Sequence, residues 1–443
     1  MNDDRDGTLS RALGLFPTSN IVIANMIGAG IFTTSGLLIA DLGNPVLMII
    51  LWIGGGILAL CGAFCYGELG SAMPEAGGEY LFLSRLYHPM LGFLSGWVSF
   101  FVGFSAPIAA SSLGCGEYLA SAFPQIIELG PPAVVKKSIA ILVVLLFTLI
   151  HLRGINVGAT VQNYLTLMKV VLIVALIFAG FSSGRGDFGS FLQGEPVSFD
   201  FAGWKVMGLS LMWIMFSYSG WNASAYIGSE IKNPARNLPL SLLLGTGLVI
   251  LLYLLLNVLF IYAIPHGEMD GVIAVGGLAG RYLFSESLER IISVLISFAL
   301  FSSISAFIIL GPRVYYAMAK DGYFFKIAAE VHPVFRVPSK SIIIQGLIAG
   351  ILVVTGTFDQ ILTYMGFSLG IFPIIAVIGV FKLRREKSGG FRMPLYPVVP
   401  LAYVLVSVSI LVLAYFERPV ESSIAILTVL AGVPLYYYFS RSR

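Results

Sequence analysis

The stretch Asn25-Met26-Ile27-Gly28-Ala29-Gly30-Ile31 sits in the middle of an apolar run long enough to cross a membrane. A second stretch, Phe216-Ser217-Tyr218-Ser219-Gly220-Trp221-Asn222, interrupts the sixth run of this kind. Gly is a poor helix former, and paired small residues let a helix open. Opened backbone at membrane depth survives only where protein or a watery cavity satisfies its polar groups. Gly-broken segments at matching places in two halves point to a transport site built from inverted repeats. One Gly-x-Gly alone would read as close helix packing. Two breaks, five spans apart, favour a substrate site.

Composition agrees. Of 443 residues, 57% are AVILMFWYC and 11% are charged, with a mean hydropathy of +0.91. A soluble domain carries about 25% charged residues. So little charge could not cover a water-facing surface. Composition therefore excludes a soluble enzyme, a disordered chain and a nucleic-acid binder, and leaves a polytopic helical protein of the bilayer. The net charge of +3 says little about partners. Cys61, Cys65 and Cys115 have no metal-ligand spacing and read as small packing residues. No metal and no cofactor are expected. The polar start, Met1-Asn-Asp-Asp-Arg-Asp6, and the long first apolar run predict no removable signal peptide.

The fold class expected is all-α integral membrane, with twelve spans. They fall at about 17–40, 45–70, 91–121, 138–152, 160–181, 203–229, 238–264, 288–318, 340–356, 359–383, 397–416 and 421–440. They form one transmembrane domain over residues 1–443. Repeat one covers about 17–181, repeat two about 203–383, and two extra helices about 397–440. With twelve spans both termini share a side, and that side holds 18 of the 26 Lys and Arg, Arg5, Arg336, Lys387 and Arg443 among them. The opposite side holds 7, and Lys169 lies inside a helix. Positive charge marks the cytoplasmic face, so the termini are cytoplasmic in a cell membrane. The connectors 68–90 and 319–340 fall on that side, as solvated loops or as gates at the inner mouth.

A broken helix frees N–H groups at the start of its second half, which suit a carboxylate. It also frees C=O groups at the end of its first half, which suit an ammonium. A zwitterion fits both. No Asp or Glu lies in either break, so a dication finds no fixed counter-charge there. This favours an amino acid over an amine.

With these residues in view, the chain resembles the amino acid–polyamine–organocation superfamily, in particular its L-amino-acid-transporter-like permeases. The motifs are Gly28-Ala29-Gly30-Ile31-Phe32; Gly67-Glu68-Leu69 with Pro74-Glu75-Ala76-Gly77-Gly78-Glu79-Tyr80; Tyr218 to Asn222 running on to Glu230-Ile231-Lys232-Asn233-Pro234; and Gly311-Pro312-Arg313 to Lys320-Asp321-Gly322. The resemblance spans the first ten helices. It implies the LeuT-like fold of two inverted five-helix repeats plus two helices. By resemblance, the amides of Ala29, Gly30 and Ile31 hold the substrate carboxylate. The carbonyls of Met26, Phe216 and Ser219 hold its amino group. Ile27, Gly28, Ser217 and Gly220 complete the two breaks. Phe216 closes over the substrate, and Asn222 buttresses the unwound stretch, although an ordinary interhelical hydrogen bond would explain Asn222 as well.

Lys169 sits midway along the fifth span. A charge there costs at least ~2.5 kcal/mol on insertion scales, so it is a functional candidate. Snorkelling is the plain alternative, and the mid-helix position works against it. In similar permeases a Lys here takes the place of a sodium ion. By that resemblance its ammonium ties first-span carbonyls to eighth-span hydroxyls, Ser302 or Ser303, and transport is sodium-independent. The sequence leaves open whether Lys169 is a fixed cation or a proton carrier.

Glu68 reads as a helix-end salt bridge. Trp97, Ser99 and Tyr364 face the pathway or simply pack. The leading expectation is a sodium-independent carrier of L-amino acids, neutral ones favoured because Ser217, Ser219 and Ala223 are small and uncharged. It would work as an exchanger or proton symporter by alternating access. Alternatives are an amine or polyamine carrier and a non-transporting amino-acid sensor. An enzyme is not expected, because His88, His151, His266 and His332 fall in loops or helix ends and form no nucleophile–base pair. In eukaryotic relatives a partner glycoprotein attaches through an outer-loop Cys; residues 122–137 hold none, so no disulfide-linked partner is expected. The expected partners are the small-molecule substrate and the lipid bilayer.

Overall fold

The computed structural model describes residues 11, 13–75, 77–153, 155–332, 334–335, 337–386 and 390–441. Ala76 and the cations Arg5, Arg336, Lys387 and Arg443 lie outside the described residues, as does the side chain of Arg313. Among the described residues the fold is helical, with one isolated β-bridge between Leu13 and Ile231.

The helices are α1 (Leu15–Met26), α2 (Ala29–Leu42), α3 (Pro45–Ala72), α4 (Glu79–Leu86), α5 (Pro89–Val98), α6 (Ala106–Ala122), α7 (Pro132–Leu152) and α8 (Ile155–Ser182). They continue as α9 (Phe201–Ser217), α10 (Pro234–Ala263), α11 (Val275–Leu283), α12 (Glu286–Lys320), α13 (Ser339–Thr355), α14 (Phe358–Arg385), α15 (Val398–Glu417) and α16 (Pro419–Arg441). Among the described residues, ten stretches are long and apolar enough to cross a membrane, counting α1–α2 as one and α5–α6 as one. The apolar helices α9 and α13 have 17 residues each. At 1.5 Å per residue that is about 26 Å, a little short of a hydrocarbon core of about 30 Å.

Local sequence explains the ends. Asn44 caps α3 by accepting the Leu47 amide at 2.9 Å, and Pro45 takes the first-turn position where a missing N–H costs nothing. Asp200 caps α9 through the Gly203 amide at 2.8 Å. The third expected span is interrupted by a π-helical turn, Ser99–Ser105, which ends two residues before Pro107. Proline cannot donate to the carbonyl four residues back, and a wider turn absorbs the mismatch. Ser105 Oγ donates to the Phe100 carbonyl at 2.7 Å inside that turn.

The sixth expected span, 203–229, is helical only to Ser217. Its second half is two short 3-10 turns, Ala223–Tyr226 and Gly228–Glu230. The cause is Ser219-Gly220, after which the chain does not resume an α-helical path. The connector 68–90 carries α4, and the loop 319–340 carries the 3-10 turn Lys326–Ala329.

Burial orders the helices. In the apolar window of α1–α2, 78% of residues are buried, and in that of α5–α6, 89%. The figure is 28% for α7, α8, α15 and α16, whose other faces are left for lipid. The broken first span and the π-interrupted third are therefore interior. One packed group joins α1, α3, α9 and α10; another joins α6, α7, α12 and α13; α8 touches α10 and α12.

Candidate functional site

The two breaks meet. After α1 ends at Met26, Ile27 (ψ 86°) and Gly28 (φ −116°, ψ −157°) leave the helical region, and α2 restarts at Ala29. The first N–H groups of α2, on Ala29, Gly30 and Ile31, have no acceptor within their helix. Gly30 lies against the end of α9: a Cβ there would collide with Ser217 Oγ and stand 2.6 Å from Ser217 Cα. Gly220 has φ +99°, and a Cβ on it would come within 2.8 Å of the Asn25 carbonyl carbon. Only glycine permits both approaches, because backbone faces backbone.

The carbonyls at the breaks are largely engaged. Met26 O accepts the Tyr253 hydroxyl at 2.6 Å, and that hydroxyl is 3.1 Å from Ser217 O. Phe216 O accepts the Ser219 amide at 2.8 Å. Ser217 Oγ donates to Trp213 O at 3.0 Å and lies 3.2 Å from Thr34 Oγ1. Met26 and Phe216 thus arrive with a partner already present, which the sequence did not anticipate.

Lys169 is wholly buried. Its ammonium donates to Ala24 O at 3.1 Å, to Ile27 O, and to Ser303 Oγ at 3.4 Å. Ser303 Oγ itself donates to Ile27 O at 3.0 Å. The lysine of α8 therefore joins the open end of α1 to α12. Of the two serines named from sequence, Ser303 makes this contact. Ser302 turns to Thr166 Oγ1 (3.2 Å) and Gln162 Nε2 (3.3 Å), because neighbouring helical residues project about 100° apart.

A cavity of about 120 Å³ opens beside the second break. Of the residues expected to touch substrate, Phe216, Ser219, Gly220 and Asn222 line it, together with Asn25; Met26 to Ile31 and Ser217 do not. The π-turn contributes Ser99, Gly103 and Phe104, and α15 contributes Tyr403 and Ser407. Met212, Met215, Leu369 and Leu411 make an apolar side.

Glu79 also lines this cavity, and sequence reasoning missed it. Its Oε1 accepts the Tyr66 hydroxyl and the Asn222 amide, each at 2.8 Å. Burial raises its carboxyl above the ordinary range, while hydrogen bonds from Tyr66, Asn222, Tyr226 and Ser95 pull the other way. Among the described residues it forms no ion pair. The available signal was an acid between Gly78 and Tyr80 in a connector otherwise bracketed by apolar helices.

The remaining polar candidates separate cleanly. Glu68 makes the helix-end salt bridge: Arg384 Nε and Nη2 reach its two oxygens at 2.6 and 2.7 Å, and the Met393 amide adds a third bond at 2.9 Å. Ser99 lines the cavity, whereas Trp97 Nε1 donates to Thr428 O and Tyr364 pairs with Thr428 Oγ1, both at 3.0 Å. His88 caps α5, and His151 pairs with Ser305 Oγ at 3.0 Å. Among the described residues no cluster of His, Cys, Asp or Glu could hold a metal ion.

Comparison with known proteins gives the arrangement a family. A family model described as amino acid permease matches residues 13–434. The serine/threonine exchanger SteT of Bacillus subtilis is 29% identical over 447 residues, covering 99% of both chains. The mouse b(0,+)-type amino acid transporter 1 is 27% identical over 440 residues, covering 98% of this chain and 88% of its own. The mouse large neutral amino acids transporter small subunit 2 is 26% identical over 435 residues, covering 97% and 81%. A match that runs from the start of α1 into α16, over the two broken spans, places this chain in the amino acid permease family of the amino acid–polyamine–organocation superfamily.

Proposed function

We propose that this protein is a sodium-independent L-amino-acid transporter, neutral substrates favoured, working by alternating access in a cell membrane. The observation that carries the reading is the contact of the two broken spans, Gly30 on Ser217 and Gly220 on Asn25, beside a cavity. In this reading the N–H groups of Ala29, Gly30 and Ile31 bind the substrate carboxylate. The Ser219 carbonyl, with those of Met26 and Phe216 once their present partners yield, binds the ammonium. Phe216 closes over the ligand, and Ile27, Gly28, Ser217 and Gly220 shape the openings.

Lys169, held against Ser303, supplies the positive charge that would otherwise come from a metal cation at the end of α1, which is the physical ground for sodium independence. The ammonium acts as a fixed cation in an exchanger or as a proton carrier in a symporter. A relative named as a serine/threonine exchanger supports exchange. Spans α1–α2, α3, α9 and α10 rock against the rest. In this reading α9 and α13 complete twelve spans. They fall into inverted repeats at about 17–181 and 203–383 and an extra pair at about 397–440, with both termini cytoplasmic. Residues 122–137 carry no Cys, so the reading includes no disulfide-linked partner. The family and the relatives above are transporters, which fits a protein that is not an enzyme.

The deciding experiment is uptake of radiolabelled neutral L-amino acids into proteoliposomes without sodium. Uptake only into vesicles preloaded with amino acid means exchange. Uptake into empty vesicles that rises with an inward proton gradient means symport. No uptake in either, with binding of amines instead, would overturn the reading.

A further inference from the structure

The side chain of Asn222, at the end of the second break, spans both the cavity and a buried carboxylate. Its Nδ2 donates to Glu79 Oε1 at 2.8 Å and to the Tyr226 hydroxyl at 3.4 Å, which commits both amide hydrogens. The reverse orientation of the amide would set Oδ1 against the Glu79 carboxylate, acceptor against acceptor, so the network dictates which way the amide points. With both hydrogens committed to protein groups, Oδ1 is the side-chain atom left to meet a ligand in the cavity that Asn222 lines.

We propose that Glu79 is a positioning residue for substrate recognition: it fixes the Asn222 amide so that Oδ1 is offered to the ammonium group of a bound amino acid. This rests on the transport reading above. The carboxylate is itself held in place. Tyr66 of α3 donates to the same Oε1 at 2.8 Å, and the Gly77 amide donates to Tyr226 O at 3.1 Å, stitching the turn before α4 to the 3-10 turn after the break. The arrangement explains why a buried acid stands at the cavity with neutral donors around it. Its hydrogen bond polarises the Asn222 amide.

The test is kinetic, in proteoliposomes taking up L-serine. Glu79→Gln lets the amide of Asn222 turn over and is expected to raise KM about tenfold, the scale of one charge-assisted hydrogen bond, with kcat within about twofold. Asn222→Ala is expected to raise KM similarly. The double variant should be no worse than Asn222→Ala by more than about twofold, because both changes remove one acceptor. A second set of variants guards against misfolding: Asn222→Asp alone sets two carboxylates together and should lose uptake at least about tenfold. Combined with Glu79→Gln it restores a donor–acceptor pair and should recover KM to within about threefold of wild type. Independent, multiplicative losses, a fall in kcat alone, or no recovery in the exchanged pair would overturn the assignment. Failure of the wild type to take up L-serine would instead count against the transport reading itself.

Discussion

Lys169 Nζ donates to the carbonyl of Ala24 at 3.1 Å, so a charge carried by α8 is fastened to the last turn of α1. That turn is where α1 loses its helical partners, since its final C=O groups have no N–H four residues on. The ammonium satisfies them from outside the helix and passes the connection on to Ser303 of α12. One side chain thus ties the broken span to the packed group around α12.

Lys169→Ala is expected to reduce amino-acid uptake at least tenfold while the protein still purifies as a monodisperse species in detergent. Removing the ammonium leaves the Ala24 carbonyl short of a donor, at about 1–3 kcal/mol for a buried group, and leaves Ile27 O with Ser303 alone among these side chains. Uptake at the wild-type level would refute the role given to this residue.

Ser303 and Ser302 should behave differently although they are adjacent. Ser303→Ala removes a donor to Ile27 O and a partner of Lys169, and uptake should fall several-fold. Ser302→Ala loses its hydrogen bonds with Thr166 and Gln162 and should leave uptake within about twofold. Initial rates for the two variants, normalised to reconstituted protein, decide the matter; equal losses would mean that Lys169 does not work through Ser303.

Gly30→Val should abolish ligand-induced thermal stabilisation. Its Cβ would meet Ser217 Cα at 2.6 Å, and that obstacle is backbone, which cannot rotate away. Overpacking of this kind costs roughly 1–3 kcal/mol, so the unliganded protein should also melt earlier. A variant that keeps its shift with a neutral L-amino acid would show that the α2 N-terminus is not part of the site.

Glu68→Gln tests a structural assignment by contrast. The carboxylate is 5% exposed and accepts from Arg384 twice and from the Met393 amide. Losing the charge should cost about 1.5–3 kcal/mol, the range for hydrogen bonds to charged groups, seen as a lower melting temperature. KM should stay within about twofold. A change in KM without a change in melting would place Glu68 on the substrate path instead.

The sequence alone determined the class of this protein. Apolar runs of spanning length, a charged fraction of 11% and Gly-x-Gly in the first run follow from one-dimensional chemistry, because the bilayer tests each segment for hydrophobicity one at a time. It also singled out Lys169, since a charge at mid-span is costly wherever the helix packs. Tertiary structure decided what one dimension cannot hold. Ser303 rather than Ser302 meets Lys169 because the rotation of α12 chooses between neighbours. Tyr253 of α10 reaches Met26 O across 227 positions of sequence. Glu79, in a stretch that reads as a connector, becomes buried at the cavity only when α4 folds in against the broken span. The second half of the sixth span, apolar enough to read as helix, forms two 3-10 turns, and Gly220 at its head lies against the backbone of Asn25, a contact that exists only once both broken spans are in place.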